Sequence, residues 1–215
     1  MKKKRLAVLA SGRGSNFLAI LGKITTGEIP AEVGICITNS KNAGVIEVAK
    51  SHGVPIGVFL PKNYPDAESF NDAILSFLIS HEIDYVILAG YLKLLGPKIV
   101  NHFSNRILNI HPALLPSFGG KGMYGHHVHD AVYERGVKVS GATVHLVNAE
   151  FDAGPIVIQK AISIESAASA EEIAKRVLEV EHEIYPMAVK MLVEERLVVD
   201  KLRVSVKKDN YSGKN

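Results

Sequence analysis

The sequence lacks most of the features that mark secreted, membrane-bound or nucleic-acid-binding proteins. Its single cysteine, Cys36, excludes an internal disulfide framework and suits a reducing compartment. The apolar run at 6–10 is far too short for a signal peptide or a membrane span. A formal net charge of +3 is too small to indicate a nucleic-acid partner. We therefore expect a cytoplasmic protein with neither a membrane nor a nucleic acid as partner.

The sequence does have enough apolar residues for one sizeable core. Of its 215 residues, 47% are hydrophobic and 22% are charged, and we find no internal repeat and no clear linker. This composition predicts a single domain over residues 1–215. Cys36 lies in the apolar stretch "VGICIT" and is interpreted as a buried structural thiol. The polar end at 207–215 is predicted to be a disordered tail.

Short apolar runs alternate with helical patterns along the first half of the chain. Strands are predicted at 5–10, 32–38, 56–60, 85–90 and 106–110, and helices at 15–25, 43–53 and 66–83. Later predicted elements are a short helix near 128–135, two strands at 141–148 and 155–164 that can pair antiparallel, a helix at 169–195 and a terminal hairpin. The pattern predicts an α/β fold, with an open, mostly parallel twisted sheet, helices on both faces and an antiparallel C-terminal part.

The stretch "LASGRGSN" (9–16) joins the first predicted strand to the first predicted helix. A helix N-terminus offers free N–H groups and a partial positive charge, so it binds phosphate well. The stretch departs from a dinucleotide fingerprint because Phe17 stands where the third glycine belongs, and it also lacks the lysine of a P-loop. Two interpretations stay open, a site for one phosphate of a smaller molecule and a tight turn without a ligand.

The stretch "ILNIHPALLPSF" (107–118) places polar side chains at the end of a predicted core strand. Asn109 and His111 are two residues apart, so they point to the same face, at the sheet edge where α/β proteins bind ligands. An Asn amide can donate to a developing oxyanion, and a His carries a proton near neutral pH. Asp152, in the turn "FDAGP", is the candidate carboxylate that raises the pKa of His111. The alternative is a histidine that only packs or hydrogen-bonds beside a proline.

Six motifs taken together resemble the folate-dependent formyltransferases. In family order they are "SGRGSN", "VILAGYLKLL", "ILNIHPALLPSF", "TVHLV", "FDAGPI" and "EHEIYP", spanning residues 6 to about 200. Each motif is weak alone, whereas the set is specific. The resemblance implies a Rossmann-like formyltransferase fold. It also implies transfer of the formyl group of 10-formyltetrahydrofolate, a cosubstrate, to the amine of 5'-phosphoribosylglycinamide in purine biosynthesis.

The resemblance assigns catalytic roles to three of these residues. Asn109, His111 and Asp152 match the family's catalytic trio. Asn109 and His111 are expected to steady the oxyanion of the tetrahedral intermediate, and His111 to act as the acid with its pKa raised by Asp152. His145, in "TVHLV", is expected to be a supporting hydrogen-bonder.

The same resemblance implies the binding positions. The expected substrate-binding residues are Gly14, Ser15 and Asn16 for the phosphate and Glu181 for the glycinamide part, and the expected folate-binding residues are Leu92, Lys93, Leu94, Leu95 and Asn109. Residues 1–105 are then a phosphate-binding half, 106–206 a catalytic and folate-binding half, and the loop at 148–153 closes over the folate. The alternatives are a surface charge at Glu181 and ordinary corner packing at 92–95.

The sequence departs from the family pattern in two places. Ala67 stands where many relatives carry an arginine that meets the glutamate tail of folate, and Lys62 is a candidate substitute. The loop "GGKGMYGHHVHD" (119–130) is rich in histidine, with His126, His127 and His129. No metal is expected there, because the histidines have no cysteine partner and only an H-x-H spacing. The loop is interpreted instead as flanking the phosphate or ribose, with some of its histidines exposed.

Other functions on the same fold are also considered. A methionyl-tRNA formyltransferase normally carries an "RGAAPI"-like loop and a further C-terminal domain, and a formyltetrahydrofolate deformylase usually carries an N-terminal regulatory domain. A phosphate-binding module without catalysis would tolerate the loss of Asn109 or Asp152, yet both are present. The deformylase and other amine formyltransferases of this fold remain the alternative. Both a monomer and a homodimer agree with the sequence.

Overall fold

A nine-stranded sheet runs through residues 3–207, the part of the chain that the computed structural model describes. The strands are β1 (Lys4–Leu9), β2 (Ala31–Thr38), β3 (Ile56–Val58), β4 (Tyr85–Leu88), β5 (Ile107–His111), β6 (Val139–Leu146), β7 (Ile156–Ser163), β8 (Leu197–Asp200) and β9 (Arg203–Val206). Their order in the sheet is β3-β2-β1-β4-β5-β6-β7-β9-β8. The first five strands are parallel, and β5–β6, β6–β7 and β8–β9 are antiparallel. The predicted α/β sheet with an antiparallel C-terminal part is confirmed, and only the short β7–β9 contact in that part is parallel.

Six α-helices connect these strands within the described residues. They are α1 (Ser15–Thr25), α2 (Val45–Ser51), α3 (Ala67–Ser80), α4 (Pro97–His102), α5 (His126–Glu134) and α6 (Ala170–Val193), and a short 3₁₀ helix covers Pro61–Asn63. The sequence did not predict α4, because its six residues are too few to show a helical repeat. Between residues 3 and 207 no helix is both long enough and apolar enough to cross a membrane. The predicted tail at 207–215 lies outside the described residues except for Lys207.

The helices cover both faces of the sheet, as predicted, and form an apolar core on each face, where the composition had suggested one sizeable core. Phe17 of α1, Val128 of α5 and Ile184 of α6 belong to one core. The other core contains Ile74 of α3 and Ile99 of α4. The fold therefore separates α1, α2, α5 and α6 on one face from α3 and α4 on the other.

The single cysteine lies in the first of these cores. Cys36, in β2, is fully buried, and burial raises the pKa of its thiol to about 12. A thiol with such a pKa stays protonated at neutral pH and is a poor nucleophile. The prediction of a structural thiol is confirmed.

Helix α6 begins with a capping box. The Ser169 side chain accepts a hydrogen bond from the N–H of Glu172 at 3.3 Å, and the Glu172 carboxylate accepts one from the N–H of Ala168 at 2.9 Å. These bonds satisfy backbone donors that a helix start leaves unpaired. They set where α6 begins, and thereby how far along the sheet its later residues lie.

Tyr185 fastens α6 to the strands that carry the candidate site. Its fully buried hydroxyl donates to the carbonyl oxygens of Leu88, at 2.9 Å, and Leu108, at 3.1 Å. One O–H shared between two carbonyls holds the ends of β4 and β5 at a fixed distance from the helix. Asn109 follows Leu108 directly, so its backbone is anchored from the helix side.

Candidate active site

A cavity of about 470 Å³ opens at the carboxyl ends of β1, β4 and β5, a volume that suits a small-molecule site. Strand order reverses between β1 and β4, and open α/β sheets bind ligands at such a switch point. The expected catalytic, substrate-binding and folate-binding residues all line this cavity: Gly14, Ser15, Asn16, Leu92, Lys93, Leu94, Leu95, Asn109, His111, Asp152 and Glu181. The predicted positions from distant parts of the chain therefore share one space.

Asp152 lies between two histidines and an asparagine. Its carboxylate oxygens are 3.6 Å from Nδ1 of His111, 3.6 Å from Nε2 of His145 and 3.5 Å from Nδ2 of Asn109. The N–H of Gly120 donates to the same carboxylate at 2.9 Å. This places the predicted trio within ion-pair distance in the free protein.

The orientation of the His111 ring is set by a backbone carbonyl. Nε2 is 2.8 Å from the carbonyl oxygen of Phe118, which can only accept, so Nε2 carries a hydrogen and Nδ1 is the atom that titrates. Burial, at 3% exposure, lowers the pKa of His111 more than Asp152 and the Phe118 carbonyl raise it, and His145 lowers it further. The expected net rise of the pKa is therefore wrong for the free protein, although the contribution of Asp152 has the expected sign.

A strained turn brings Asp152 to this place. Its φ of 53° is unusual for a residue with a side chain, although aspartate tolerates it better than most. Close by, a Cβ on Gly154 would lie 1.8 Å from the carbonyl oxygen of Leu146, so only glycine fits there. Burial raises the pKa of Asp152, but the adjacent His145 and His111 rings and the Gly120 N–H together lower it, and the net shift is downward.

Asn109 and His145 pair across the antiparallel β5–β6 ladder, where they face each other. Nδ1 of His145 donates to the carbonyl of Leu146 at 2.9 Å, which leaves Nε2 to accept from Nδ2 of Asn109 at 3.0 Å. The second amide hydrogen of Asn109 has only the long 3.5 Å contact to Asp152. That second hydrogen is the one a ligand oxygen can capture most readily.

The turn after β5 is held by side chains of the neighbouring strands. Thr143 Oγ1 donates to the carbonyl of Ala113 at 2.6 Å and accepts from the N–H of Leu115 at 3.1 Å. Gln159 donates to the Leu115 carbonyl at 2.8 Å. These bonds keep the chain between His111 and Phe118 in a fixed path, so the imidazole stays aimed at its carbonyl partner.

The N-terminus of α1 forms the opposite end of the cavity. Gly14 has a φ of 85° and precedes Ser15, and no side chain caps the start of the helix. The exposed Arg13 also lines the cavity there. An uncapped helix start beside a cation is a suitable place for an anion.

Glu181 approaches this end from α6. Its carboxylate accepts a hydrogen bond from Nδ2 of Asn16 at 2.6 Å, and each residue is 8% exposed. Burial raises the pKa of Glu181 to about 7, against a smaller lowering by Asn16. The interpretation of Glu181 as an ordinary surface charge is thus wrong.

Apolar side chains form the rim near β4. Leu92, Leu94 and Phe151 line the cavity and are 48%, 43% and 45% exposed. Leu95 is buried in the core of α3 and α4, and the exposed Lys93 lies between the two exposed leucines. Exposed leucines and a phenylalanine around one opening suit a flat, partly apolar ligand.

Comparisons with known proteins agree with this arrangement. The model of the family described as "Formyl transferase" matches residues 4–189. The chain belongs to the formyl transferase family. It is 45% identical over 197 residues to the chloroplastic phosphoribosylglycinamide formyltransferase of Arabidopsis thaliana, covering 91% of this chain and 68% of that protein.

Two further members of the family match along most of their length. The phosphoribosylglycinamide formyltransferase of Haemophilus influenzae is 40% identical over 194 residues, covering 90% of this chain and 89% of that protein. The crystal structure of glycinamide ribonucleotide transformylase 1 from Symbiobacterium toebii superimposes with a TM-score of 0.91 at 38% identity, covering 96% of this chain and 95% of that one. The family predicted from the six motifs is confirmed.

The sequence-based reasoning missed two backbone partners of this formyl transferase site. The Phe118 carbonyl and the Gly120 N–H fix His111 and Asp152, yet neither residue type carries a chemical signal in sequence. The glycine pair at 119–120 was the only available hint, since glycine permits a close backbone approach.

The histidine-rich loop divides into two parts in the structure. His126, His127 and Asp130 bring potential metal-ligand atoms within 4.8 Å of one another at the start of α5, and both histidines are exposed. His129 is buried and lines the cavity, and the exposed His126 lines it as well. Neither Ala67, the first residue of α3, nor Lys62 is among the described residues that line the cavity.

We expect Gly14→Ala to damage both the fold and anion binding. A Cβ there meets Val45 at 3.0 Å, and the positive φ costs a residue with a side chain about 1–2 kcal/mol. The melting temperature should fall by roughly 2–8 °C. The KM for a phosphorylated substrate should rise at least about tenfold, because the start of the helix moves. Gly22→Ala is the control. Gly22 lies inside α1, and a Cβ added there would have no atom within 4 Å, so the melting temperature should rise. An unchanged KM in Gly14→Ala contradicts the phosphate role of this turn.

We expect Glu181→Gln to remove a pH dependence of stability. A carboxyl whose pKa rises to about 7 on folding contributes its stability at low pH and loses it as pH climbs from about 4.5 to about 7. Above pH 7 the ionised group costs about 3 kcal/mol, so the variant should melt higher than the parent at pH 8 and nearly equally at pH 5. Thermal melts across this range measure the difference. Glu179→Gln, exposed on the same helix, is the control. Parallel curves for Glu181→Gln and the parent would contradict the raised pKa.

Proposed function

We propose that this formyl transferase family member transfers the formyl group of 10-formyltetrahydrofolate to the amine of 5'-phosphoribosylglycinamide. The products are the N-formyl ribonucleotide and tetrahydrofolate, and the step belongs to de novo purine (IMP) biosynthesis. One observation carries the proposal. Asn109, His111 and Asp152 meet in a cavity that has an uncapped helix start at one end and an apolar rim at another.

The ribonucleotide occupies the side of the cavity formed by α1 and α6. Its phosphate binds at Gly14, Ser15 and Asn16, where the helix N-terminus offers free N–H groups. The Glu181 carboxylate, which is hydrogen-bonded to Asn16, accepts hydrogen bonds from N–H or hydroxyl groups of the part of the ribonucleotide between the phosphate and the amine. The acceptor amine then lies toward Asn109 and His111.

The folate occupies the side beneath the apolar rim. Leu92, Leu94 and Phe151 cover the flat ring system, and backbone groups of the segment at 92–95 read its edge. The loop at 148–153 carries both Phe151 and Asp152, so its position affects folate contact and catalysis together.

The chemistry uses charge and hydrogen bonds that the free protein already holds in place. The amine nitrogen forms a bond to the formyl carbon, the bond from that carbon to the folate nitrogen breaks, and a proton passes from the amine to the departing nitrogen. The amide hydrogen of Asn109 and a proton at Nδ1 of His111 make only long contacts to Asp152, of 3.5 Å and 3.6 Å, in the free protein, so both are available to donate to the developing oxyanion. Asp152 stabilises the charged form of His111 as the proton arrives.

The test is a product assay with three acceptors. The protein is incubated with 10-formyltetrahydrofolate and 5'-phosphoribosylglycinamide, water alone or methionyl-tRNA, and the products are identified by mass spectrometry. We expect formyl ribonucleotide to form with the first acceptor only. Formate release without an acceptor would identify a deformylase instead, and formyl-methionyl-tRNA would identify the tRNA-directed activity.

Three statements about the whole protein accompany this proposal. Residues 1–215 act as one catalytic unit, supported by a continuous sheet that joins the halves at 1–105 and 106–206. The protein works in the cytoplasm as a monomer or homodimer and without nucleic acid. Cell fractionation tests the location, since the Arabidopsis relative is named as chloroplastic.

A further inference from the structure

His129 lies in the cavity but has no role in the chemistry described above. It is the fourth residue of α5 and is only 8% exposed, whereas its neighbours His126 and His127 are exposed. Val128 and Val132 of the same helix are fully buried, so this part of α5 faces the sheet. His129 extends from the buried face of α5 into the space that His111 also lines.

The imidazole of His129 has an unsatisfied polar atom. Its Nδ1 is buried without a hydrogen-bond partner among the described residues. Buried polar atoms are nearly always paired, so an unpaired one in a cavity marks a place where a ligand can supply the partner. Oδ1 of Asn16 is in the same condition in the same cavity. Two residues that line the same cavity therefore each hold a buried polar atom without a partner among the described residues.

The layering of the fold indicates which ligand meets His129. Helices α1, α5 and α6 share one face of the sheet and one apolar core, and they carry Asn16, His129 and Glu181. Leu95, from the predicted folate segment, packs in the core of the opposite face. His129 is thus on the side of the ribonucleotide.

The protonation state of the His129 ring also indicates which groups of a ligand it can bind. Burial lowers the pKa of His129 to about 4, which Asp130 opposes and His111 reinforces, so the ring is neutral near pH 7. A neutral imidazole offers one donor and one acceptor. Such a ring suits a hydroxyl, an amide or an uncharged amine better than a phosphate.

We propose that His129 is a further ribonucleotide-binding residue, whose ring hydrogen-bonds a sugar hydroxyl or the glycinamide group between the phosphate and the reacting amine. This assignment rests on the proposed function for the identity of the ligand. It adds α5 to the elements that hold the acceptor substrate, beside α1 and α6.

The test uses His129→Leu and His129→Asn in the full chain. Leucine fills the space without a polar atom, and the amide of asparagine reaches the position of Nδ1. Calorimetric titration with 5'-phosphoribosylglycinamide should show a Kd raised about tenfold in the leucine variant and partly restored in the asparagine variant. The Kd for tetrahydrofolate should stay within about twofold in both. His127→Leu, at an exposed position on the same helix, is the matched control and should bind like the parent.

Thermal melting of the free proteins separates binding from structure. Removing an unpaired buried atom should leave the melting temperature of His129→Leu equal to or above that of the parent, while ribonucleotide affinity falls. A large drop in the melting temperature of His129→Leu, with equal losses of affinity for the ribonucleotide and for tetrahydrofolate, would assign His129 a structural role and overturn the proposal. Unchanged ribonucleotide affinity in the leucine variant would overturn it as well.

The two proposals fail in different ways. If the parent binds the ribonucleotide and the leucine variant binds it weakly, but no formyl product forms, the proposed function is wrong and the His129 assignment stands. If the parent makes product and the leucine variant binds equally well, only the His129 assignment is wrong. If the parent does not bind the ribonucleotide, both are wrong.

Discussion

His111→Ala is expected to lower kcat by about 10²- to 10⁴-fold while ribonucleotide affinity changes little. The range is that of a positioned general acid, and an oxyanion donor is lost with it. The ring lies 3.6 Å from Asp152 and hydrogen-bonds the Phe118 carbonyl, and an alanine makes neither contact. Steady-state kinetics with product detection by mass spectrometry, together with calorimetric binding, measure both quantities.

A stability control is needed because His111 is buried. The alanine substitution leaves a small cavity and should lower the melting temperature. The melting temperatures of the variant and the parent should both be measured, to show that both proteins are folded at the assay temperature. His102→Ala, at an exposed position on α4, controls for the loss of an imidazole elsewhere and should keep normal kcat. Normal turnover of a folded His111→Ala variant contradicts the role assigned to this residue.

Asp152→Asn is expected to lower kcat by about 10²- to 10³-fold with little change in shape. The amide oxygen can still accept from the Gly120 N–H, but it carries no charge for the histidine 3.6 Å away. Asp152 raises the pKa of His111, so its neutralisation should lower that pKa further and move the active pH range toward acid. The pH dependence of kcat measures this shift.

The same substitution should change acid stability in a defined direction. The pKa of Asp152 is lowered in the folded protein, so its charge contributes stability above the unfolded pKa that is lost as pH falls through the folded value. The asparagine variant should therefore lose less stability than the parent on acidification below about pH 4. Glu134→Gln removes a charge at an exposed position of α5 that does not line the cavity, and it serves as the control. A kcat of Asp152→Asn as high as that of Glu134→Gln would remove Asp152 from the mechanism.

The sequence predicted the meeting of Asn109 and His111 for a simple geometric reason. Two residues at i and i+2 of a strand share a face, and the end of a parallel strand is where such folds bind ligands. The glycine turn before α1 was less decisive, because its spacing argues against a dinucleotide but leaves both a smaller anion and a turn without a ligand open. Asp152 was a candidate from its turn alone, the family resemblance assigned it to the catalytic trio, and the structure places it 3.6 Å from His111.

Burial of individual polar groups was much harder to predict. The sign of the His111 pKa shift depends on how far the turn at 118–120 closes over the ring, and a run of glycines does not determine this. The same limit explains why an exposed Glu181 was considered. Its burial follows from packing between α6 and α1, which single-sequence periodicity does not describe.

The three histidines of α5 could have been told apart by their phase on the helix, which can be read from the sequence. Val128 and Val132 are four residues apart and define the buried face of the helix. His129 is three residues before Val132 and is 8% exposed, whereas His126 and His127 are exposed. The loop was assessed as a whole, by ligand spacing, and helical phase was not used to tell its histidines apart.

The Glu181–Asn16 pair has a consequence for any measurement of binding heat. With a pKa of about 7, Glu181 is a mixture of protonated and ionised forms at neutral pH in the free protein. A ligand that contacts the carboxylate with N–H or hydroxyl donors selects the ionised form and so releases a fraction of a proton to the solution. Apparent enthalpies of ribonucleotide binding should therefore differ between phosphate and Tris buffers by an amount that tracks the ionisation enthalpy of each buffer, and the difference should change in Glu181→Gln by the contribution of this carboxyl.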